Sequence, residues 1–273
     1  MSDCTHDCNT CGVDCPSRAQ SSLMVNPLPT TKINKIVAVV SGKGGVGKSM
    51  VTALLAVLAQ RNGFQTAVLD ADITGPSIPK MFGLRESATG TEQYINPVVT
   101  KTGIKTMSIN ALLEDETDPV VWRGPVIAGT VKQFWSDVTW GKNDVMFIDM
   151  PPGTGDVPLT VFQSIPIDGI VLVTTPQELV SMIVEKALKM AEMMNIPVLG
   201  IVENMSYITC PDCDKKIFMF GEGKAQSIAK DYNTEILGQI PMNPKLAGAC
   251  DKGFVEMFSG DWLDEAIKTI LPE

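Results

Sequence analysis

The string Ser41-Gly42-Lys43-Gly44-Gly45-Val46-Gly47-Lys48-Ser49 sets two lysines and hydroxyl groups among closely spaced glycines. Gly42, four intervening residues and then Gly47-Lys48-Ser49 satisfy the phosphate-loop spacing. Glycines let the backbone turn so that successive N–H groups face one phosphate. Lys48 places positive charge at the outer phosphates of a nucleotide, and the Ser49 hydroxyl is suited to Mg²⁺. A helix beginning near Lys48 adds its positive end to the same point. Residues Gly42, Lys43, Gly44, Gly45, Val46, Gly47, Lys48 and Ser49 are therefore the expected nucleotide contacts. A glycine-rich turn without a ligand is the alternative, and the placement after an apolar run and before a helical one argues against it.

Two acidic motifs suit the same chemistry. Leu69-Asp70-Ala71-Asp72 and Phe147-Ile148-Asp149 each end an apolar run, which puts carboxylates at the edge of a sheet. Asp149 matches the acidic residue that holds Mg²⁺ through water in phosphate-loop enzymes. Asp72 should sit farther out than Asp70, and so is chosen to orient or activate an attacking water. Ser49, Asp72 and Asp149 form the expected Mg²⁺ set, although a carboxylate at a strand end can instead cap the next helix. Asp156 is read as such a cap. Hydrolysis by these groups would rest on positioning and charge stabilisation, with no covalent step.

The seven cysteines fall as four, two and one. Cys4, Cys8, Cys11 and Cys15 follow C-x3-C-x2-C-x3-C spacing, and Pro16 comes next, as in part of the bacterial ferredoxin run. Four thiolates so close suit an iron–sulfur cluster; zinc and loose thiols remain open, with His6 a bystander. Cys210-Pro211-Asp212-Cys213 offers two thiolates, half of a four-ligand site, which a twofold dimer would complete. A bridging cluster, a zinc site and a redox dithiol all fit that spacing. Cys250 reads as a buried small hydrophobe, and Met190, Met193 and Met194 as core filler.

These groups need a scaffold, and the chain has the means to build one. It has 273 residues, 44% hydrophobic and 19% charged, with a net charge of −9. The acidic balance opposes a protein built mainly to coat nucleic acid or anionic membrane. No apolar run reaches membrane-spanning length, and the polar N-terminus lacks the features of a secretion signal, so a cytoplasmic location is expected. Residues 1–33 read as a flexible cysteine-rich extension and linker, and 34–273 as one nucleotide-binding domain. Apolar runs at Ile36–Val40, Thr66–Leu69, Val145–Ile148, Gly169–Thr174, Val198–Val202 and Glu235–Ile240 read as strands. Helical patterns at Lys48–Arg61, Gly124–Asp137, Val157–Ser164, Leu179–Met194, Gly223–Tyr232 and Trp262–Ile270 separate or follow them. The alternation predicts an α/β fold with a doubly wound, mostly parallel sheet.

GKGGVGKS resembles the deviant-Walker ATPases, the group containing MinD, ParA and the nitrogenase iron protein. That resemblance implies that Lys43 reaches across a dimer interface to the partner's nucleotide, and that Asn204 contacts adenine; a turn role for Asn204 stays open. No carboxylate near Asn204 completes a guanine reader, which favours ATP over GTP. DADITGPS, WRGP, DMPPGTGD, ENMSY and CPDC, in that order after the loop, are similar to the Mrp/ApbC-type iron–sulfur cluster carriers. The N-terminal cysteines are similar in kind to those of the Nbp-type eukaryotic relatives, with a different spacing. Met50 stands where the family commonly has a hydroxyl residue, in a position expected to matter little. The resemblance implies a homodimer that uses ATP and Mg²⁺, holds a [4Fe–4S] cluster between Cys210 and Cys213 of two copies, and passes it to apo iron–sulfur proteins. It implies no nucleic-acid or membrane partner. A MinD/ParA-like positioning ATPase and an ATP-driven electron donor are the rivals. The acidic C-terminal helix opposes the first, and the adjacent cysteine pair opposes the second. Arg123 is read as touching either the partner chain or the nucleotide, or as a surface arginine.

Overall fold

The computed structural model describes residues 23–113, 122, 124–177, 180–221 and 225–271. The first half of the chain holds strand β1 (Lys32–Val40), helix α1 (Lys48–Arg61), β2 (Thr66–Asp70), α2 (Ile78–Phe82), β3 (Val98–Val99), β4 (Lys105–Met107) and α3 (Gly124–Ser136). Next come β5 (Lys142–Asp149), α4 (Asp156–Ser164), β6 (Gly169–Thr174), α5 (Val180–Met193) and β7 (Val198–Glu203). A hairpin of β8 (Ile208–Thr209) and β9 (Lys216–Ile217) leads to α6 (Ala225–Asp231), β10 (Ile236–Gln239), α7 (Pro244–Asp251) and α8 (Asp264–Ile270).

Eight strands form one sheet in the order β10-β7-β6-β1-β5-β2-β4-β3. Neighbours run parallel except for β3, which lies antiparallel on β4. The expected doubly wound, mostly parallel sheet is therefore present. Because successive strand residues point to opposite faces, β1 feeds two cores. Ile36, Ala38 and Val40 join the α3, α4, α5 and α6 side, with Val131, Phe134, Phe162 and Leu188. Val37 and Val39 join the α1, α7 and α8 side, with Leu55, Leu246 and Ile267. Each fully buried Val or Leu of this kind contributes about 1.5–3 kcal/mol. Helix α1 is buried from Val51 to Ala59, matching its nearly all-round apolar sequence.

Several boundaries depart from expectation. β1 begins at Lys32, ahead of 34. Val25, assigned to the linker, packs on the core; its N–H donates to the Ser164 carbonyl at 2.9 Å, and its carbonyl accepts from Trp135 Nε1 at 2.7 Å. Asp156 is not a capping residue. It is the first residue of α4, after Gly155 in the capping position, and its charge instead favours the positive helix end. Met190 and Met194 pack on the core as an i, i+4 pair, but Met193 is 83% exposed, turned away from it at the last residue of α5. The last helix starts at Asp264, and Trp262, expected in its first turn, stacks on Phe258 at 5.8 Å ahead of it.

Candidate functional site

The strand order reverses around β1, and there the C-terminal ends of β1, β2 and β5 converge. Such a reversal opens a crevice beyond the strand ends, where ligands of open α/β sheets bind. Asp70 and Asp149 are register partners on adjacent strands, and Val39 of β1 is opposite Asp149. The Gly153 N–H donates to the Ser41 carbonyl at 2.9 Å, tying the loop after β5 to the loop after β1. Gly45 and Gly47 have φ of +79° and +80°, in the left-handed region that favours glycine. At Gly47 a Cβ would also collide with Asn204 Nδ2, so no other residue fits without rearrangement.

Within this loop Lys48 is 6% exposed, and its ammonium lies 2.7 Å from Asp149 Oδ1 and 3.7 Å from Asp72 Oδ2. Thr52, one helical turn later, donates to the same Asp149 oxygen at 2.9 Å. Asp149 Oδ2 is buried without a hydrogen-bond partner among the described residues. Asp149 lies behind Lys48, which lines a cavity of about 250 Å³ with Ser49 and Asp72; this donor set, with the unused acceptor, suits a hydrated Mg²⁺. Asp70 is fully buried; it accepts from the Asp72 N–H at 3.1 Å and from Ser108 Oγ at 3.0 Å. Burial, reinforced by Asp149, pushes its carboxyl well above the usual range. Burial also raises Asp72, against the attraction of Lys48. Asp72 is the more exposed of the two and faces the cavity, the arrangement expected from the sequence. Lys43 donates to Gln177 Oε1 at 2.9 Å within the same chain.

A second, apolar cavity of about 480 Å³ adjoins the first and shares Gly47 and Met50 with it. Asn204, Met205, Ile208, Pro241 and Met242 are among the residues that line the remainder. The shared wall gives one groove with a polar, glycine-rich end and an apolar end, the shape that a nucleotide's phosphates and base require. Asn204 is buried, and its Nδ2 donates to the Val46 carbonyl at 2.8 Å, bracing the loop as well as lining the apolar end. Met50, at a position expected to matter little, forms part of that wall.

Cys210 and Cys213 lie in the turn between β8 and β9. The Cys210 N–H donates to the Lys215 carbonyl at 3.0 Å, and the Asp214 N–H donates back to the Cys210 carbonyl at 3.0 Å. Asp214, with φ of +57°, completes the tight turn. The N–H groups of Asp212 and Cys213 point at the Cys210 sulfur and, with the Cys213 thiol, hold its pKa below the ordinary thiol value. A knuckle of this type favours the thiolate, which is the metal-binding form. Tyr207 anchors the hairpin: Phe218 packs on its ring at 6.0 Å, and Lys216 Nζ lies 4.3 Å from its centre. Ile217, Phe218, Met219 and Phe220 are exposed beside the cysteines. No group of three or more potential metal ligands occurs among the described residues. Cys250 is buried, and burial followed by Asp251 pushes its thiol up to about 11, in keeping with a packing role.

Cys4, Cys8, Cys11 and Cys15, with His6 and Arg123, lie outside the described residues. Thr52, Ser108, Gln177 and Glu203 were not singled out from sequence. Thr52 alone had a local signal, its i+4 spacing from Lys48. No helix among the described residues is long and apolar enough to cross a membrane.

The family described as ParA, NUBPL iron-transfer P-loop NTPase, matches residues 32–271. A *Methanocaldococcus jannaschii* protein named iron-sulfur cluster carrier protein is 47% identical over 261 residues, 93% of this chain and 90% of its own. A *Methanococcus maripaludis* protein of the same name is 44% identical over 258 residues, 92% of this chain and 89% of its own. Among solved structures, a nucleotide-binding protein of *Archaeoglobus fulgidus* in complex with ADP superposes with a TM-score of 0.76 at 47% identity, covering 84% of this chain and 90% of that one. MinD of *Pyrococcus horikoshii*, at 18% identity and a TM-score of 0.59 over 88% of this chain and 95% of that one, shares the fold.

Proposed function

The chain belongs to the iron-transfer P-loop NTPase family, and from that premise we propose an ATP-hydrolysing carrier that holds a labile [4Fe–4S] cluster between two copies and delivers it to apoproteins. The observation that carries this reading is the coexistence, in one folded unit, of a glycine-rich groove lined by Lys48, Ser49 and Asp72 and a surface turn with two thiols, Cys210 half-buried and Cys213 exposed. Relatives named as iron–sulfur cluster carriers over nine-tenths of the chain support the cargo. The ADP complex of a 47%-identical protein supports the nucleotide.

In the nucleotide step, the loop N–H groups and Lys48 hold the β- and γ-phosphates, and α1 directs its positive end toward them. Phosphate oxygens then compete with Asp149 and Asp72 for the Lys48 ammonium. Ser49 and Asp149 would hold Mg²⁺, with Asp72 nearby; the ion supplies charge neutralisation between the outer phosphates. Asp72 orients a water whose oxygen forms the new bond to the γ-phosphorus as the bond to the bridging oxygen breaks. Asn204, Met50 and Ile208 receive the base. Lys43 exchanges its Gln177 partner for the nucleotide of a second copy.

In the cargo step, Cys210 and Cys213 of each copy supply two sulfurs, and the twofold axis makes four. The exposed apolar residues beside them suit closure of that interface. Transfer is ligand exchange: each acceptor thiolate forms a bond to iron as a bond to Cys210 or Cys213 breaks, without net oxidation.

The test is anaerobic loading with iron and sulfide, comparing the unaltered protein with Cys213→Ala. Loss of about four irons per dimer, with iron elsewhere retained, supports the reading. Equal iron in both proteins would leave the pair without cargo and overturn it.

A further inference from the structure

The segment that closes the apolar end of the nucleotide groove is also the one that leads to the cysteine turn. Asn204 begins it, braced on the Val46 carbonyl, and Ile208 lines the same cavity as the first residue of β8. Cys210 follows two residues later. A base in this cavity therefore touches both ends of a short link whose continuation carries the cargo ligands.

That link is held in an unusual shape. Met205 has φ of +56°, a conformation uncommon for a residue with a side chain and kept only where its surroundings impose it. The surroundings include backbone bonds: Ser206 N–H to the Ile240 carbonyl at 2.9 Å and Met242 N–H to the Tyr207 carbonyl at 2.8 Å. They also include one side-chain cluster. Glu203, at the end of β7 and 1% exposed, accepts through Oε2 from Ser206 Oγ at 2.5 Å and from Gln239 Nε2 at 2.9 Å. Its carboxyl has no basic partner within salt-bridge distance among the described residues. A buried carboxyl with only neutral donors is costly for packing alone, where an apolar side chain would serve better.

We propose that Glu203 is a positioning residue that clamps the link between β7 and β8, so that nucleotide in the groove and metal at Cys210 and Cys213 change each other's binding. This rests on the carrier reading and deepens it by naming the internal connection. Glu203 touches neither nucleotide nor metal. It fixes Ser206 against β10, and so sets the angle at which Tyr207 and the hairpin leave the groove. By linkage, whatever ATP does to metal retention, metal does equally to ATP affinity.

The test uses the full chain loaded anaerobically with iron and sulfide, and follows extraction of hairpin iron by a ferrous chelator with and without ATP. Hairpin iron is the difference between the unaltered protein and Cys213→Ala. In the unaltered protein, ATP should change the extraction rate by about fivefold or more. Glu203→Ala should bring the ratio of the two rates close to one while a fluorescent ATP analogue still binds and the thermal midpoint stays within a few degrees. Glu203→Gln should keep the ratio, because an amide oxygen in the place of Oε2 still accepts from both Ser206 and Gln239.

The inference is overturned if Glu203→Ala keeps the unaltered ratio. It is also overturned if both variants lose ATP binding, iron and thermal stability together, since Glu203 is then only a folding residue. Extraction that ignores ATP in the unaltered protein removes the coupling and leaves the carrier reading standing. Equal iron in the unaltered protein and Cys213→Ala removes both.

Discussion

The phosphate loop and the cysteine hairpin are built on opposite plans. Lys48, Thr52 and Asp149 are buried, bonded to one another and seated, beside the buried Asp70, on the centre of an eight-stranded sheet. Cys210 is half-buried and Cys213 exposed, on a two-stranded hairpin pinned mainly through Tyr207. The groups of the first site are held by one another within the core; the second offers two thiols on a surface turn. Rigidity suits a group that must be held for positioning and charge stabilisation. Exposure suits a cargo that has to leave.

The largest expected contrast is therefore between Lys48→Ala and Cys213→Ala. Lys48→Ala should lower ATP hydrolysis by about 10²–10³-fold. Because it strips a buried Asp149 of its cation, it should also cost about 3–5 kcal/mol in stability. Cys213→Ala should abolish hairpin iron and leave the thermal midpoint of the metal-free protein unchanged, since the side chain is exposed. Denaturant melts and iron counts on the two variants check this. A large stability loss from Cys213→Ala would refute the contrast.

Gly47→Ala probes how tightly the first site is built. The new methyl group meets Asn204 Nδ2 and must adopt a left-handed φ, which together cost about 1–3 kcal/mol. Calorimetric titration should show nucleotide affinity down by about tenfold or more, with hairpin iron retained. An affinity equal to that of the unaltered protein would mean that the loop yields easily.

Acid–base behaviour separates the regions further. Burial raises the Asp72 pKa, so this carboxyl keeps its proton to a higher pH than a free one. Hydrolysis should then rise with pH through a limb displaced above the ordinary carboxylate range, and Asp72→Asn should remove that limb. The Cys210 thiol shifts the other way, toward the thiolate, whereas Cys250 is pushed up to about 11. Alkylation near neutral pH followed by peptide mass mapping should label Cys210 about 100-fold faster than Cys250 or more. Comparable rates would contradict the knuckle geometry.

The same division explains what the sequence made legible. β1, β2, β5, β6 and β7 were readable because their covered faces demand apolar runs, and α1 because its pattern persists for four turns. Helices α2 and α7 were not; each is short and has a proline in its first turn, so local pattern was weak. The hairpin strands are two residues each, too short for any period to show. At the site, Lys48, Ser49, Asp72 and Asp149 were identifiable from spacing after strands. Met50, Glu203 and Gln177 gain their contacts only when distant loops meet, and that information is tertiary. Asp156 shows the opposite failure, where a correct helix start was given the wrong terminal residue.

The smallest expected effect tests whether the hairpin is an independent local unit. Lys216 lies over the Tyr207 ring, a contact worth about 0.5–1 kcal/mol when exposed to water. A two-stranded hairpin is marginal alone, so this loss should appear as local opening instead of global unfolding. In Lys216→Ala, exchange of the Cys210 amide, bonded to the Lys215 carbonyl at 3.0 Å, should accelerate about two- to fivefold in the metal-free protein. The global midpoint should fall by no more than about 4 °C. Loading iron and sulfide should slow that amide in the variant and the unaltered protein alike, because bound metal closes the turn whether or not the lysine is present. If Lys216→Ala instead lowers the midpoint by tens of degrees, the hairpin is part of the global core and its openness is not what distinguishes it from the phosphate loop.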